Sequence, residues 1–362
     1  MYINIQIITF NNNICYTKIN KYCLGDYNLE KTKRINYFDI AKGIGILCVI
    51  LGHMEIEAVN SIVYTFHMPL FFFVSGYFGF KREEKMSEFI KHKFDQLIIP
   101  YFFTSFCVVI INAIREFALS GNTIKRIFTV SCAALYGSGN AWEEPFHIEP
   151  IGAIWFLPAL FIALVVVKYF IQYKKPYLFI TLLAYIGYKT SQFIWLPFDI
   201  QAGLVAAVFV YLGNYSRKIQ LFEIRIDKII MGGLISIWTF CILFGGSLYM
   251  VRNYYGNGLL DVIGALAAVY LIIIICRYID SKKSVLGKLL GFLGRNSLVI
   301  LCAHLIEINF MIGFIYRYIN NLLLPQSVIY FLLFAYKTMF CFFVLILFQY
   351  IPITNKIFKI KK

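Results

Sequence analysis

The chain has 362 residues, 60% of them hydrophobic and only 15% charged, with a formal net charge of +15. This balance excludes an ordinary soluble domain and marks an integral membrane protein. The positive charge does not indicate nucleic acid, because no basic stripe with interleaved aromatics occurs outside the apolar runs.

In chain order, residues 1–34 open on MYINIQIITF. That stretch lacks a basic n-region and is too short to span, so it reads as a disordered extension rather than a signal peptide. From residue 35 onward, apolar runs alternate with short polar connections. Runs of about twenty residues are what a helix needs to cross hydrocarbon, and a spanning chain must satisfy its backbone internally. The predicted spans are 37–57, 60–80, 96–118, 151–171, 177–196, 199–216, 229–250, 258–279, 289–312 and 327–351. The expected fold is therefore all-α and polytopic, with about ten transmembrane helices. One membrane domain is expected over 35–354, and a basic tail over 355–362.

Basic residues alternate between loops. Lys31, Lys33 and Arg34 precede the first span, Lys81 to Lys93 follow the second, Lys174 and Lys175 the fourth, and Arg217 to Lys228 the sixth. Arg277 to Lys288 follow the eighth span, and Lys356 to Lys362 close the chain. The intervening loops hold few, so both termini are expected in the cytoplasm of a multi-pass protein of the cell membrane. KREEKMSEFIKHK (81–93) reads as a cytoplasmic interfacial helix. The largest outer loop, 119–150, carries Trp142, Glu143, Glu144, His147 and Glu149, a plausible lid or substrate contact. The nine cysteines are scattered with no metal-binding spacing and read as small apolar residues; no metal is expected.

Ionisable groups inside a hydrophobic span are costly and are functional hypotheses by default. His53 follows Lys42 by eleven residues in FDIAKGIGILCVILGHM (38–54). At 100° per residue that is three turns plus about 20°, so the two share a helix face, separated by about 16 Å along the axis. Asp39 and Glu57 fall on the same stripe. Asp39 and Lys42 can neutralise one another, and Glu57 is placed to hydrogen-bond the His53 ring and raise its basicity. Imidazole titrates near neutrality, which suits removal of a proton from a hydroxyl. His67, in TFHMPLFFFVSGY (65–77), is expected at a similar depth on the next helix. In the ninth span, Asn296 and Ser297 can cap the helix, and His304 is followed one turn later by Glu307. Trp155 fits an aromatic belt or a substrate-stacking role, and Lys337, midway along the last span, requires an acidic or carbonyl partner.

The segments FDIAKGIGILCVILGH and FHMPLFFFVSGY together resemble membrane acyltransferase family 3, nearest its fucose 4-O-acetylase-like branch. WFLPAL (155–160) and GRNSLVILCAH (294–304) are similar to the family's later signatures, in the expected order. The resemblance runs from about residue 36 to 352. The family's hallmark, a basic residue, ten intervening residues and a histidine, falls here on Lys42 and His53. Many members have arginine at the first position; lysine is a point charge without arginine's bidentate fork.

The resemblance implies transfer of an acyl group, commonly acetyl, from cytoplasmic acyl-CoA to a carbohydrate hydroxyl. The acceptor would be an envelope or exopolysaccharide sugar, or a lipid-linked glycan, and no bound cofactor is implied. His53 would act as base or transient acyl carrier, with Glu57 and His67 completing the catalytic group. Asp39 and Lys42 would bind the donor, while Trp155, Asn296 and His304 would contact the acceptor or line its path. Some members carry an added esterase-like domain; this chain ends at Lys362 without one, so transfer is expected within the membrane domain. The competing reading is a polysaccharide or small-molecule exporter using Lys42, His53 and Glu57 as a polar path. The spans show neither an inverted repeat nor paired broken segments that would favour it.

Overall fold

The computed structural model describes residues 35–360, apart from 82, 120, 144, 145, 225, 246, 247, 311 and 323. The extension expected over residues 1–34 lies outside the described residues. The described chain is almost wholly helical. It opens with α1 (Asn36–Gly52), α2 (Glu57–Val63), α3 (His67–Gly79), α4 (Met86–Lys93) and α5 (Ile99–Ala118). Next come α6 (Thr123–Tyr136), α7 (Phe156–Phe170), α8 (Pro176–Thr190), α9 (Ile200–Lys218) and α10 (Lys228–Phe244). The last third holds α11 (Leu259–Ser281), α12 (Val285–Arg295), α13 (Ser297–Phe310), α14 (Ile312–Asn320), α15 (Gln326–Tyr350) and α16 (Pro352–Phe358). A two-stranded hairpin pairs Leu248 with Tyr255 and Tyr249 with Tyr254.

Every predicted span meets a helix, although not every helix has full membrane length. Among the described residues, six segments are long and apolar enough to cross a bilayer: Glu57–Gly79, Met86–Ala118, Ala153–Phe170, Pro197–Lys218, Leu259–Ser281 and Gln326–Tyr350. The predicted ninth span is a broken one, α12 and α13 meeting at a 73° bend. The other three predicted spans are α1, α8 and α10, apolar but only 17, 15 and 17 residues long. Large apolar side chains such as Phe106, Ile114, Leu182, Leu243 and Phe343 face outward, as a lipid-solvated surface requires.

Two further expectations change. The segment 81–93, expected as a cytoplasmic interfacial helix, does not form a separate helix: α4 runs through a π turn at Phe94–Ile98 directly into α5. The stretch 119–150, expected as an outer loop, is not all loop, because α6 occupies its first half. Asn122 caps α6 by accepting from the Lys125 amide at 3.0 Å, and Gly137 ends it with φ of 78°. Both signals were present in the sequence.

Glycines set the closest helix contacts. A Cβ on Gly43 would strike the Leu290 carbonyl, and one on Gly294 would strike the Asp39 carbonyl, so α1 and α12 touch backbone to backbone. The same reciprocity joins α3 to α9, where Gly76 meets Val210 and Gly213 meets Phe73. In lipid, where burying apolar surface drives little, close van der Waals approach of this kind holds helices together. The contact of α1 with α12, followed by the bend at Asn296, carries α13 alongside α1, α5 and α15.

Candidate functional site

The site forms at the C-terminal end of α1. The helix stops at Gly52, and His53 and Met54 form a turn closed by the His53 amide on Val49 and the Met54 amide on Leu51. Glu55 then takes a positive φ of 57°, which turns the chain before α2 starts at Glu57. Met54 is buried against Ile329 and Leu333 of α15 and so anchors the turn. Tyr64 adds a tether, donating its hydroxyl to the Gly52 carbonyl at 3.2 Å.

His53 keeps an accessible surface, yet its ring centroid lies 5.3 Å from that of His304, which is fully buried. One edge of His53 therefore faces the protein interior and the other faces open space. Glu307 Oε2 approaches His304 Nδ1 at 3.4 Å without the alignment of a hydrogen bond. The same carboxylate receives Lys337 Nζ at 3.0 and 3.2 Å. Lys337 thus has the acidic partner that its position in the last span demanded.

His67 is buried at the start of α3, with Nδ1 2.6 Å from the Val63 carbonyl and its ring edge-on to Tyr64 at 5.1 Å. It also lies within electrostatic range of His53. Three histidines from separate elements thus converge on the end of α1. At the other end of that helix, Lys42 pairs with Asp39 at 2.7 Å; Asp39 is buried and Lys42 partly exposed.

This is a polar site built inside a helical membrane bundle, and comparison with known proteins names the family. The family model described as an acyltransferase domain, that of acyltransferase family 3, matches residues 35–351. The chain belongs to the acyltransferase 3 family. It is a multi-pass membrane protein. A nodulation protein, NolL, from Mesorhizobium japonicum is 25% identical over 154 residues, 38% of this chain and 36% of that protein. The match thus takes in little more than a third of the relative's length. No solved structure matches the chain.

Several residues expected in the site stand elsewhere than the sequence pattern placed them. Glu57 does not share a helix stripe with His53, because the turn at residues 53–56 separates them and leaves Glu57 exposed as the first residue of α2. The carboxylate beside a histidine is Glu307, next to His304. Asn296 directly precedes α13 rather than opening an unbroken ninth span. It sits buried in the bend, and its side-chain amide donates back to the Phe292 carbonyl at 3.1 Å. Trp155 is not in a lipid-facing belt: it is buried in a 3-10 turn, and Gly139 leaves room for its ring.

The connection after α6 contributes a separate construction. Trp142 stacks on Trp195 with centroids 4.8 Å apart, and Trp195 donates to the buried Asp199 at 2.6 Å. Asp199 also accepts from the Gly139 amide at 3.1 Å, which ties the loop to the start of α9. Farther out, Glu143 and Glu149 flank His147 at 2.9 and 3.5 Å and hold its pKa above the ordinary histidine value. Glu144 lies outside the described residues. Sequence reasoning missed Tyr64, Asp199 and Trp195 because nothing local distinguishes them from interfacial or packing residues.

Proposed function

We propose that this acyltransferase moves an acyl group, expected to be acetyl, from cytoplasmic acyl-CoA to a carbohydrate hydroxyl at the cell membrane. The acceptor is an envelope or exopolysaccharide sugar, free or lipid-linked. The observation that carries the reading is His53, accessible on one edge and backed by a buried histidine on the other. A base must reach its substrate and still be held in place, and this arrangement meets both needs.

In the proposed reaction the acceptor hydroxyl loses its proton to His53 as its oxygen bonds to the thioester carbonyl carbon. The C–S bond then breaks, and the proton passes to the departing thiolate. In the covalent variant, His53 itself takes the acyl group and hands it to the hydroxyl in a second step. Lys42, held by Asp39 on the half of α1 nearer the basic loops, supplies positive charge for the donor phosphates. The roughly 16 Å of helix between Lys42 and His53 suits the extended arm of the donor. His67 packs behind the site rather than presenting a free edge, which supports a role in shaping the acceptor side.

The test is transfer of radiolabelled acetyl from acetyl-CoA to glycan in membranes carrying wild-type protein or His53→Ala. A loss of about 10²-fold or more is expected for the variant. Wild-type rates in the variant would overturn the assignment. Movement of labelled acceptor across the membrane without acylation would favour the exporter reading instead.

A further inference from the structure

The role given to His53 leaves three buried polar groups unexplained. His304 and Glu307 are wholly inaccessible, and Lys337 is 3% exposed. Within the described residues, neither ring nitrogen of His304 makes a hydrogen bond. A buried imidazole with both nitrogens unmatched costs free energy that an apolar side chain would avoid. Its neighbours add a reason to look further. Glu307 stands between His304 and Lys337, 3.4 Å from the first and 3.0 Å from the second, and the ring of His304 lies 5.3 Å from that of His53. The row Lys337, Glu307, His304, His53 crosses from α15 through α13 to the end of α1 and finishes on the accessible residue.

Charge counting says what such a row does. Lys337 and Glu307 cancel, so His304 needs no proton to balance its surroundings. If Lys337 were removed, the Glu307 carboxylate would remain in a dry interior with His304 as the nearest group able to become cationic. An isolated buried charge is far costlier than a paired one, so the proton would be drawn onto His304. Other groups face this cluster: Tyr336 and Cys341 of α15 lie within electrostatic range of Glu307, Cys107 of α5 approaches Cys302 beside His304, and His67 of α3 approaches His53. None of these four is a fixed charge that could replace Lys337.

We propose that His304 is the proton partner of His53, and that Lys337, by neutralising Glu307, is a positioning residue that keeps His304 uncharged. The proposal rests on His53 being the base. As the hydroxyl oxygen bonds to the acyl carbon, the hydroxyl proton moves to His53. His304 shares the resulting positive charge through the ring contact, directly or through one water. The charge returns when the proton leaves on the thiolate as the C–S bond breaks. A His304 already protonated would repel the charge forming on His53 and slow the step.

The experiment compares Lys337→Met, Lys337→Arg, Glu307→Gln and the double variant Glu307→Gln/Lys337→Met. Acetyl transfer is measured per unit of monodisperse, detergent-purified protein from pH 6 to 9. Lys337→Met is expected to lose about tenfold or more near neutral pH and to regain activity in alkali, because an uncharged His304 returns only there. Lys337→Arg keeps the charge and is expected to keep the wild-type profile. The double variant removes both charges together and is expected to recover most of the lost activity, with no alkaline displacement. A double variant no better than either single one, or a Lys337→Met profile at the wild-type position, would overturn the proposal. So would loss of folded protein in the single and double variants alike, since the pair would then be structural. His53→Ala assayed alongside distinguishes the two readings: full activity there removes the base itself, whereas failure of the charge-pair test alone leaves it standing.

Discussion

Replacing Gly43 by alanine tests whether the contact of α1 with α12 sets the site. An added Cβ would lie 2.8 Å from the Leu290 carbonyl carbon and 3.2 Å from its Cα, with the carbonyl oxygen nearer still. Ordinary contact begins at 3.4 Å. The obstacle is backbone and cannot rotate aside, so α1 and α12 must separate by about 1 Å to restore normal contact. Overpacking of this kind costs about 1–3 kcal/mol. The second effect is geometric, because α12 leads through the bend at Asn296 into α13, which carries His304 to His53. A displacement of about 1 Å at a reacting pair can cost on the order of 10²-fold in rate.

Three other glycines complete the comparison. Gly294→Ala should match Gly43→Ala, since its Cβ would strike the Asp39 carbonyl. Gly45→Ala should cost less than about 1 kcal/mol, because its neighbours at 3.1–3.2 Å are side-chain atoms of Phe71 and Leu70 that can yield. Gly233→Ala meets nothing within 4 Å and should be neutral, or stabilising by up to about 1 kcal/mol through helix propensity. Thermal unfolding in detergent and acetyl transfer on the same preparations give both readouts. If Gly43→Ala unfolds with Gly233→Ala and transfers at the wild-type rate, the backbone contact does not position the site.

Tyr64→Phe removes the hydroxyl bond to the Gly52 carbonyl and should cost about 1 kcal/mol in thermal unfolding, with a modest rate loss, since the tether lies one residue before His53. Asp199→Ala leaves the Trp195 indole and the Gly139 amide without their acceptor and should destabilise by about 2–3 kcal/mol; quenching of tryptophan fluorescence would report loosening of the Trp142–Trp195 stack. His147 should titrate above the ordinary histidine value of 6.5 when followed by NMR, and Glu143→Gln with Glu149→Gln should return it toward that value. Because the folded value is the raised one, the loop's ion pairing is complete below 6.5 and is lost as pH climbs through the raised value. An unshifted midpoint for His147 in the intact protein would show that the two carboxylates do not hold it.

Much of the architecture was legible before any coordinates. Each predicted span contains a helix, since a run of about twenty apolar residues has few alternatives in lipid. The ends were harder. Extrapolating the α1 pattern to residue 57 placed Glu57 one turn beyond His53, but Glu55 turns the chain and the helix stops at Gly52. Helical periodicity relates residues only while the helix lasts. The bend at Asn296 was hidden for a similar reason: GRNSLVILCAH has no proline to announce a break. Trp155 was misplaced because the loop glycine that receives it, Gly139, is sixteen residues away in the chain.

The amino-acid sequence alone determined that this is a helical membrane protein, and it singled out Lys42, His53, His67, His304 and Lys337 as costly groups in apolar surroundings. Hydropathy and charge are local quantities, and they survive reading in one dimension. Which of those groups meet was decided by the tertiary structure. The stop at Gly52, the glycine contact of α1 with α12 and the 73° turn into α13 together bring His304 to His53 and Glu307 to Lys337. Glu307 and Lys337 are thirty residues apart on different helices, and only the packing of those helices brings a carboxylate and an ammonium into contact in a dry interior.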